Sequence, residues 1–344
     1  MTTIQDVAKR ANVSKSTVSQ YLNHHYNFMS IATRKKVAQA IEDLNYVPNQ
    51  LARGLRQKKT HMVGIIVSTI RSRFTTEIIE ALEAEFQKVN VQILVCNVND
   101  DPEKEGRYIT SLVARQVDGI ITFPFQANQA LYQNLIDQKI PLVFLDRQIS
   151  GLSQTVDTIL LDNKAAVTLA MDEFMQNGHT RIGIITFPYK KHPITTRVER
   201  MQGYHDYIAT HKQLIDSPDY VASGDITQIM DLVAKMRHLE QPPTALLAGN
   251  DMILEQILLY VQKYQLKIPD NFSLIGIDNI APAIFFSPSI TTIAQPTYEM
   301  GTNAAIRLIY KVGYDDVKLP ETYELIKRAQ PQFMRRNSVK KIII

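Results

Sequence analysis

Two short helical patterns lie side by side in TIQDVAKRANVSKSTVSQYLN, Thr3–Asn23. Thr3 and Asp6 have the spacing of a capping box, and apolar residues then recur every three to four positions through a first helix. After a short break, Ser14 has the side chain of an N-cap for a second helix. Two helices joined by so tight a turn, with a third helix expected after Ser30, predict a helix-turn-helix module.

Positive charge is concentrated in the same part of the chain. Residues 1–60 contain ten Lys or Arg and three acidic residues, for a net charge of +7, whereas the other 284 residues contain 28 basic and 31 acidic residues, for −3. A small solvated helical bundle would not need this charge, so we expect DNA as the partner of the head. The second helix would enter the major groove, where the candidate base readers are Lys15, Ser16 and Gln20. Candidates for contacts near phosphates or for helix caps are Thr3, Ser14, Thr17, Ser19, Asn23, Ser30 and Thr33.

Composition and motifs exclude several other classes of protein. With 344 residues, of which 45% are hydrophobic and 21% charged, the chain can form two or three folded domains. No signal peptide or transmembrane helix is expected, so we expect a cytoplasmic protein without a membrane partner. Cys96 is the single cysteine, which excludes an intrachain disulfide. Motifs for dinucleotide binding, phosphate-binding loops, serine hydrolysis and zinc hydrolysis are absent, so no cofactor, metal site or catalytic residue is predicted.

From His61 onward, apolar strand patterns alternate with helical patterns. Examples are strands over Met62–Val67 and Leu142–Leu145 and a helix over Thr76–Val89. Such alternation predicts mostly parallel, doubly wound sheets, and some 270 residues predict two lobes with a cleft. A ligand would bind in that cleft, at the carboxyl ends of the strands.

The head and a second block, TRKKVAQAIEDLNYVPNQLARGLRQKKT over Thr33–Thr60, resemble the lactose-repressor/galactose-repressor family of bacterial regulators. Body segments match family blocks in order, namely VDGIITFP, IPLVFLDR, NGHTRIGIIT, RVERMQGY, TALLAGND, IPDNFSLIGIDN and SITTIAQP. The resemblance implies an all-α helix-turn-helix head plus a two-lobed α/β body like the periplasmic sugar-binding proteins. It places the head at 1–48, a hinge helix and linker at 49–60, the effector-binding and dimerisation body at 61–330, and a charged tail at 331–344.

The same resemblance implies how such a protein would work. A homodimer would bind a pseudo-palindromic operator and control carbohydrate-utilisation genes, most often as a repressor. Asn49 would cap the hinge helix, and Leu55 would be a wedge in the minor groove beside Ala52, unless this segment is a simple linker helix. The family's turn glycine is Asn12 here, which tolerates a left-handed conformation, and its recognition-helix Arg is Gln20.

Four effector-binding residues are carried over by the resemblance. Asp146 matches the cleft acid, Arg200 the arginine that grips the effector, and Asn250 and Asp278 the polar pair that binds sugar hydroxyls. Each has a simpler alternative, since an Asp after a strand is often a helix cap and Arg200 could form a surface ion pair. The resemblance also implies lobes of about 61–160 plus 290–319 and 161–289 plus 320–330.

The loop after the first body strand departs from the family's neutral sequence. Phe74 would form an apolar wall of the pocket, and Arg73 would be a second pocket cation beside Arg200. This arrangement would favour an anionic effector such as a sugar acid or sugar phosphate, although a solvent-facing Arg73 is equally compatible with the sequence. A weaker resemblance of the head to repressors of 2-keto-3-deoxygluconate use (Tyr21–Asn23, Tyr26) points the same way.

Two other functions share the expected α/β fold. A sugar-binding receptor for transport predicts a signal peptide and no basic head, and both predictions fail on this sequence. An enzyme predicts a catalytic constellation, which the motifs do not supply. The sequence therefore predicts a DNA-binding transcription regulator controlled by a small carbohydrate.

Overall fold

The chain is described here from a computed structural model. The structure describes residues 2–22, 25–27, 29–46, 59–188, 193–314, 317, 319 and 322–342. It divides into two compact units, Met1–Thr60 and His61–Ile344. Within the described ranges, no helix is long and apolar enough to cross a membrane.

The described part of the head contains three helices, as predicted. They are α1 (Ile4–Ala11), α2 (Lys15–Leu22) and α3 (Ile31–Asp43). Thr3 and Asp6 form the expected capping box, and Asn12 ends α1 in a left-handed conformation at φ 52°. A small apolar core holds the helices together, formed by Val7, Ala8, Ala11, Val18, Val37 and Ala40.

The residues of the body that the structure describes form two six-stranded sheets. The strands are β1 (Met62–Val67), β2 (Gln92–Asn97), β3 (Gly119–Thr122), β4 (Leu142–Leu145), β5 (Asp157–Leu161), β6 (Ile182–Thr186), β7 (Val221–Ser223), β8 (Ala245–Ala248), β9 (Ser273–Ile277), β10 (Thr291–Ala294), β11 (Ile326–Ala329) and β12 (Gln332–Met334). The N-lobe sheet has the order β11-β5-β4-β3-β1-β2, and the C-lobe sheet has the order β12-β10-β9-β8-β6-β7. All neighbouring strands are parallel except β10 and β12, which confirms the doubly wound prediction.

Helices cover both sheets. They are α4 (Arg73–Lys88), α5 (Pro102–Ala114), α6 (Gln129–Asp137), α7 (Asn163–Gln176), α8 (Thr195–Thr210), α9 (Ile229–Arg237), α10 (Asp251–Lys263), α11 (Ala281–Phe285) and α12 (Thr297–Val312). Most central strands are continuous apolar runs because helices bury both faces of each sheet. Helix α12 packs closely on α4, where a Cβ at Gly301 would meet the Ala81 Cβ at 2.7 Å.

The expected lobe boundaries need two corrections. Strand β10 was expected in the N-lobe, but it pairs with β9 in the C-lobe sheet. Strand β11 was expected in the C-lobe, but it pairs with β5 in the N-lobe sheet. The chain therefore crosses between the lobes after β5, β10 and β11.

Residues 331–344 were expected to form a solvated charged tail, and this expectation is wrong for the described part. Strand β12 pairs antiparallel with β10. Ser338 is fully buried, and its hydroxyl accepts a bond from the Thr291 N–H at 2.8 Å and donates one to the Leu274 carbonyl at 2.5 Å. The segment is therefore part of the C-lobe, because it satisfies backbone groups along the sheet edge.

Candidate functional site

A cavity of about 70 Å³ lies between the two lobes of the body, at the carboxyl ends of the central strands. Parallel sheets place their ligand sites at this end of the strands. Five of the six predicted effector-binding residues line the cavity, namely Phe74, Asp146, Arg200, Asn250 and Asp278. The structure thus brings together residues that are far apart in the sequence.

Asp146 and Asp278 occupy equivalent places in the two lobes. Asp146 follows β4 and Asp278 follows β9, which have the same position in the strand orders of their sheets. Both residues have left-handed backbone conformations, at φ 65° and 79°, and each N–H donates to a strand carbonyl at 2.9 and 2.8 Å. Left-handed conformations are uncommon for non-glycine residues and recur at functional sites. Both residues are buried.

Arg200 is held rigidly on α8 behind these acids. Its Nε donates to the Asn163 side chain at 2.9 Å, and its Nη1 donates to the Gly249 carbonyl at 2.6 Å. The side chain is 5% exposed, so the alternative of a surface ion pair does not fit. Fixed guanidinium donors of this kind suit oxygen-rich ligands.

Asn250 has two roles at once. It lines the cavity, and its side-chain oxygen caps α10 by accepting a bond from the Ile253 N–H at 3.0 Å. The cap uses the carbonyl end of the amide and fixes its orientation.

Arg73 does not lie where the sequence placed it. Helix α4 begins at Arg73 rather than at Thr76, so Arg73 occupies its first turn and pairs with Glu77 at 2.7 Å. The side chain is 48% exposed and borders an adjoining cavity of about 100 Å³, which shares Phe74, Asp278 and Gln295 with the first but does not include Arg200. The expectation of a second pocket cation at Arg73 is therefore wrong, because the earlier helix start turns the side chain toward its i+4 partner.

Two other arginines reach the cavity, and the sequence reasoning missed both. Arg147 of the N-lobe and Arg197 of the C-lobe bind opposite oxygens of Asp100, at 2.8 and 2.7 Å. Burial raises the pKa of the Asp100 carboxyl, but the two guanidiniums outweigh burial and hold its pKa below the usual value. Arg147 directly follows Asp146 in the VFLDR block, which is the one sequence signal that could have identified it.

A second polar contact joins the lobes across the cavity. The Ser72 hydroxyl, at the start of α4, donates to an Asp251 carboxylate oxygen at the start of α10, at 2.5 Å. Burial and the nearby Asp278 carboxylate raise the pKa of Asp251 to about 7. Burial also raises the pKa of Asp146, against the opposing effect of Arg147 and Arg200.

The predicted DNA-reading face lies on α2 of the head. Lys15, Ser16 and Gln20 are exposed, while Val18 on the opposite side is buried. Thr17 and Ser19 are half-buried on the same helix.

The other head candidates described by the structure serve helix starts. Ser14 accepts a bond from the Thr17 N–H at 3.1 Å, and Ser30 caps α3 by accepting one from the Thr33 N–H at 3.1 Å. Thr3 belongs to the capping box of α1. Four candidates lie outside the described residues, namely Asn23, Asn49, Ala52 and Leu55.

No group of His, Cys, Asp and Glu in the described part of the chain could hold a metal ion.

Family models match both units. Residues 3–49 match "Bacterial regulatory proteins, lacI family", and residues 60–333 match "Periplasmic binding proteins and sugar binding domain of LacI family". The chain belongs to the lacI family of bacterial regulatory proteins.

Relatives of this LacI-family chain align with nearly its whole length. It is 48% identical over 342 residues to a probable HTH-type transcriptional regulator EndR of Paenibacillus polymyxa, with 99% of each chain covered. It is 31% identical to the HTH-type transcriptional regulator KdgR of Bacillus subtilis, over 94% of this chain and 95% of that protein. The fold matches a lac repressor dimer bound to operator with a TM-score of 0.81 and 23% identity, covering 98% and 99% of the two chains.

The predicted class of function is thereby confirmed. The chain is a DNA-binding transcription regulator with a helix-turn-helix head and an effector-binding body, and its relatives are regulators rather than enzymes.

Proposed function

We propose that a carbohydrate binds in the cavity between the lobes and controls binding of the head to operator DNA. The observation that carries this proposal is the convergence of Asp146, Asp278, Arg200 and Asn250 on one cavity between the lobes. Carboxylates accept bonds from sugar hydroxyls and can do so with two oxygens, while the guanidinium supplies planar donors.

Contacts between the lobes supply a means of coupling. Asp100 bridges an arginine from each lobe, and Ser72 binds Asp251 across the cavity. A ligand that offers its own oxygens to these groups changes the balance between open and closed arrangements of the lobes. The sign of the response, induction or corepression, depends on which arrangement favours DNA.

The charge of the cavity bears on the class of effector. The expected anionic effector rested on Arg73 and on the weaker resemblance of the head. Arg73 pairs with Glu77 and does not line this cavity. Three arginines and four aspartates line the cavity, and two of those arginines bind Asp100. This balance favours a neutral polyol over a sugar acid or sugar phosphate.

The head supports the rest of the proposal. We propose that the protein acts as a homodimer whose two copies of α2 lie in successive major grooves of a pseudo-palindromic operator, with Lys15, Ser16 and Gln20 at the base edges. Asn49 remains the proposed N-cap of the hinge helix, and Ala52 and Leu55 remain its proposed contacts with the minor groove.

The test is calorimetric titration of the full-length protein with D-glucose, cellobiose, glucose phosphate and D-galacturonate, followed by operator binding with and without each sugar. A neutral sugar should bind, and Arg200→Ala should weaken that binding roughly 10- to 100-fold, because it removes a charged donor from a buried site.

Arg107→Ala is the matched control, since Arg107 is an exposed arginine on α5 outside the cavity. Its sugar affinity should equal that of the wild type. An unchanged operator response in Arg200→Ala would contradict the assignment of the cavity, and tighter binding of the acidic sugars would contradict a neutral effector.

A further inference from the structure

The segment after β12 lies beyond residue 333, where the match to the family model ends. Two adjacent arginines of this segment have different surroundings. Arg335 is 67% exposed and pairs with Glu173 of α7 at 2.6 Å. Arg336 is half-buried and turns the other way, toward the edge of the C-lobe sheet.

Arg336 binds three different acceptors. Its Nη1 donates to the Ile290 carbonyl at 2.7 Å and to the Thr292 hydroxyl at 2.9 Å, and its Nη2 donates to the Asn279 side-chain oxygen at 2.8 Å. The Thr292 hydroxyl itself donates to that Asn279 oxygen at 2.9 Å. The guanidinium therefore ties strand β10 to the loop that follows β9, with charge-assisted bonds of fixed geometry.

That loop begins with a cavity residue, Asp278, whose neighbour is Asn279. Asp278 has a left-handed backbone, and its N–H donates to the carbonyl of Ile293 on β10. One of its carboxylate oxygens accepts a bond from Gln295 at 2.6 Å. A non-glycine residue keeps this conformation only when its surroundings hold it there. Arg336 bonds to Asn279, the neighbour of Asp278, and to Thr292, the neighbour of Ile293. It therefore fixes residues next to both partners of the bond between the Asp278 N–H and the Ile293 carbonyl.

We infer that Arg336 is a positioning residue for Asp278, supplied by a segment outside the matched sugar-binding domain. It touches no ligand, since it does not line the cavity, and it acts by holding the Asn279 side chain against β10. The importance of this for binding rests on the proposed function, in which Asp278 binds the effector.

The experiment compares Arg336→Ala with Arg335→Ala in the full-length protein. Arg335→Ala is a matched control because it removes the neighbouring arginine and its ion pair with the buried Glu173 but no contact to the loop. Hydrogen exchange measured by mass spectrometry should show the segment around Asp278 exchanging at least about tenfold faster in Arg336→Ala and unchanged in Arg335→Ala. Arg336→Lys, which keeps one cationic donor, should lie between them and guards against a variant that fails to fold.

Titration with the sugars named above then separates positioning from general stability. Arg336→Ala should bind the neutral sugar roughly tenfold more weakly, the scale on which outer hydrogen-bond partners tune a ligand site. Unchanged exchange around Asp278 would overturn the inference, and so would faster exchange with unchanged sugar affinity. Asp278→Ala tests the proposed function by itself: if that variant binds sugar as the wild type does, the cavity assignment fails, whereas the exchange result still decides whether Arg336 holds the loop.

Discussion

Asp251 shows how one buried side chain links the two lobes. Its carboxylate accepts bonds from Ser72 across the cavity and from the N–H of Met252 in its own helix. These bonds lower its pKa, but burial and the charges of Asp278 and Glu255 outweigh them, and the pKa rises to about 7. Between its ordinary pKa and this raised value, Asp251 is protonated in the folded protein and ionised in the unfolded chain.

A pH dependence of stability follows from this raised pKa. Between the ordinary value near 3.8 and about 7, the folded state binds a proton that the unfolded state does not, so stability falls as pH rises through this window. Asp251→Asn removes the titrating group. Its melting temperature relative to the wild type should therefore be higher at about pH 8 than at about pH 5.

Thermal melts of both proteins across this range measure the effect, and the comparison cancels groups that titrate equally in both. A difference in melting temperature that stays constant with pH, or that decreases as pH rises, would contradict the raised pKa of Asp251.

At the scale of elements, strands with continuous apolar sequences could be predicted, and short or charged edge strands could not. Strands β1, β4 and β8 are apolar runs, and β1 and β4 lie within the predicted bounds. Strand β11, with the sequence IKRA, lies at a sheet edge and carries charged residues, so no strand pattern marks it. Strand β12 and Arg336 find their partners some 40 residues or more away, through contacts that no local pattern encodes.

The start of α4 explains the one misplaced site residue. Ser72 has the N-cap position of α4, but its hydroxyl makes no cap bond because it donates to Asp251 in the other lobe. The Ser72 hydroxyl, which would normally bond a backbone N–H of the first helical turn, is used for a tertiary contact instead. Arg73 is the first residue of the helix. Asp146 and Asp278 were predicted from the family resemblance, and both follow apolar strands whose carboxyl ends meet at the cavity.

The recognition helix gives a prediction about sequence preference. Gln20 is exposed on α2 and can bond an adenine edge with two atoms, so Gln20→Ala should relax preference at one operator position at a cost of about 1–3 kcal/mol. Selection of bound sequences from a random DNA pool measures this directly.

Gln39→Ala is the control for the recognition helix, since Gln39 is an exposed glutamine on α3 bonded to Asp43. Its selected sequences should match those of the wild type. If Gln20→Ala weakens all sequences equally, Gln20 contacts the DNA backbone and does not read a base.

At the scale of the whole molecule, charge separates two binding functions. The first 60 residues carry +7 and the remainder −3. Binding of the basic head to DNA releases counterions from phosphates, whereas binding of a neutral sugar to the body releases none. The two activities of one chain should therefore respond differently to the same salt.

A salt series on the wild-type protein tests this separation. Operator affinity should fall by about 0.9 log units per neutralised phosphate for each tenfold rise in salt, or roughly 10³-fold between about 50 and 200 mM for six contacts. Affinity for a neutral sugar, measured by calorimetry in the same buffers, should stay constant because the ligand carries no charge. A neutral-sugar affinity that falls together with operator affinity would contradict this separation of the two binding functions.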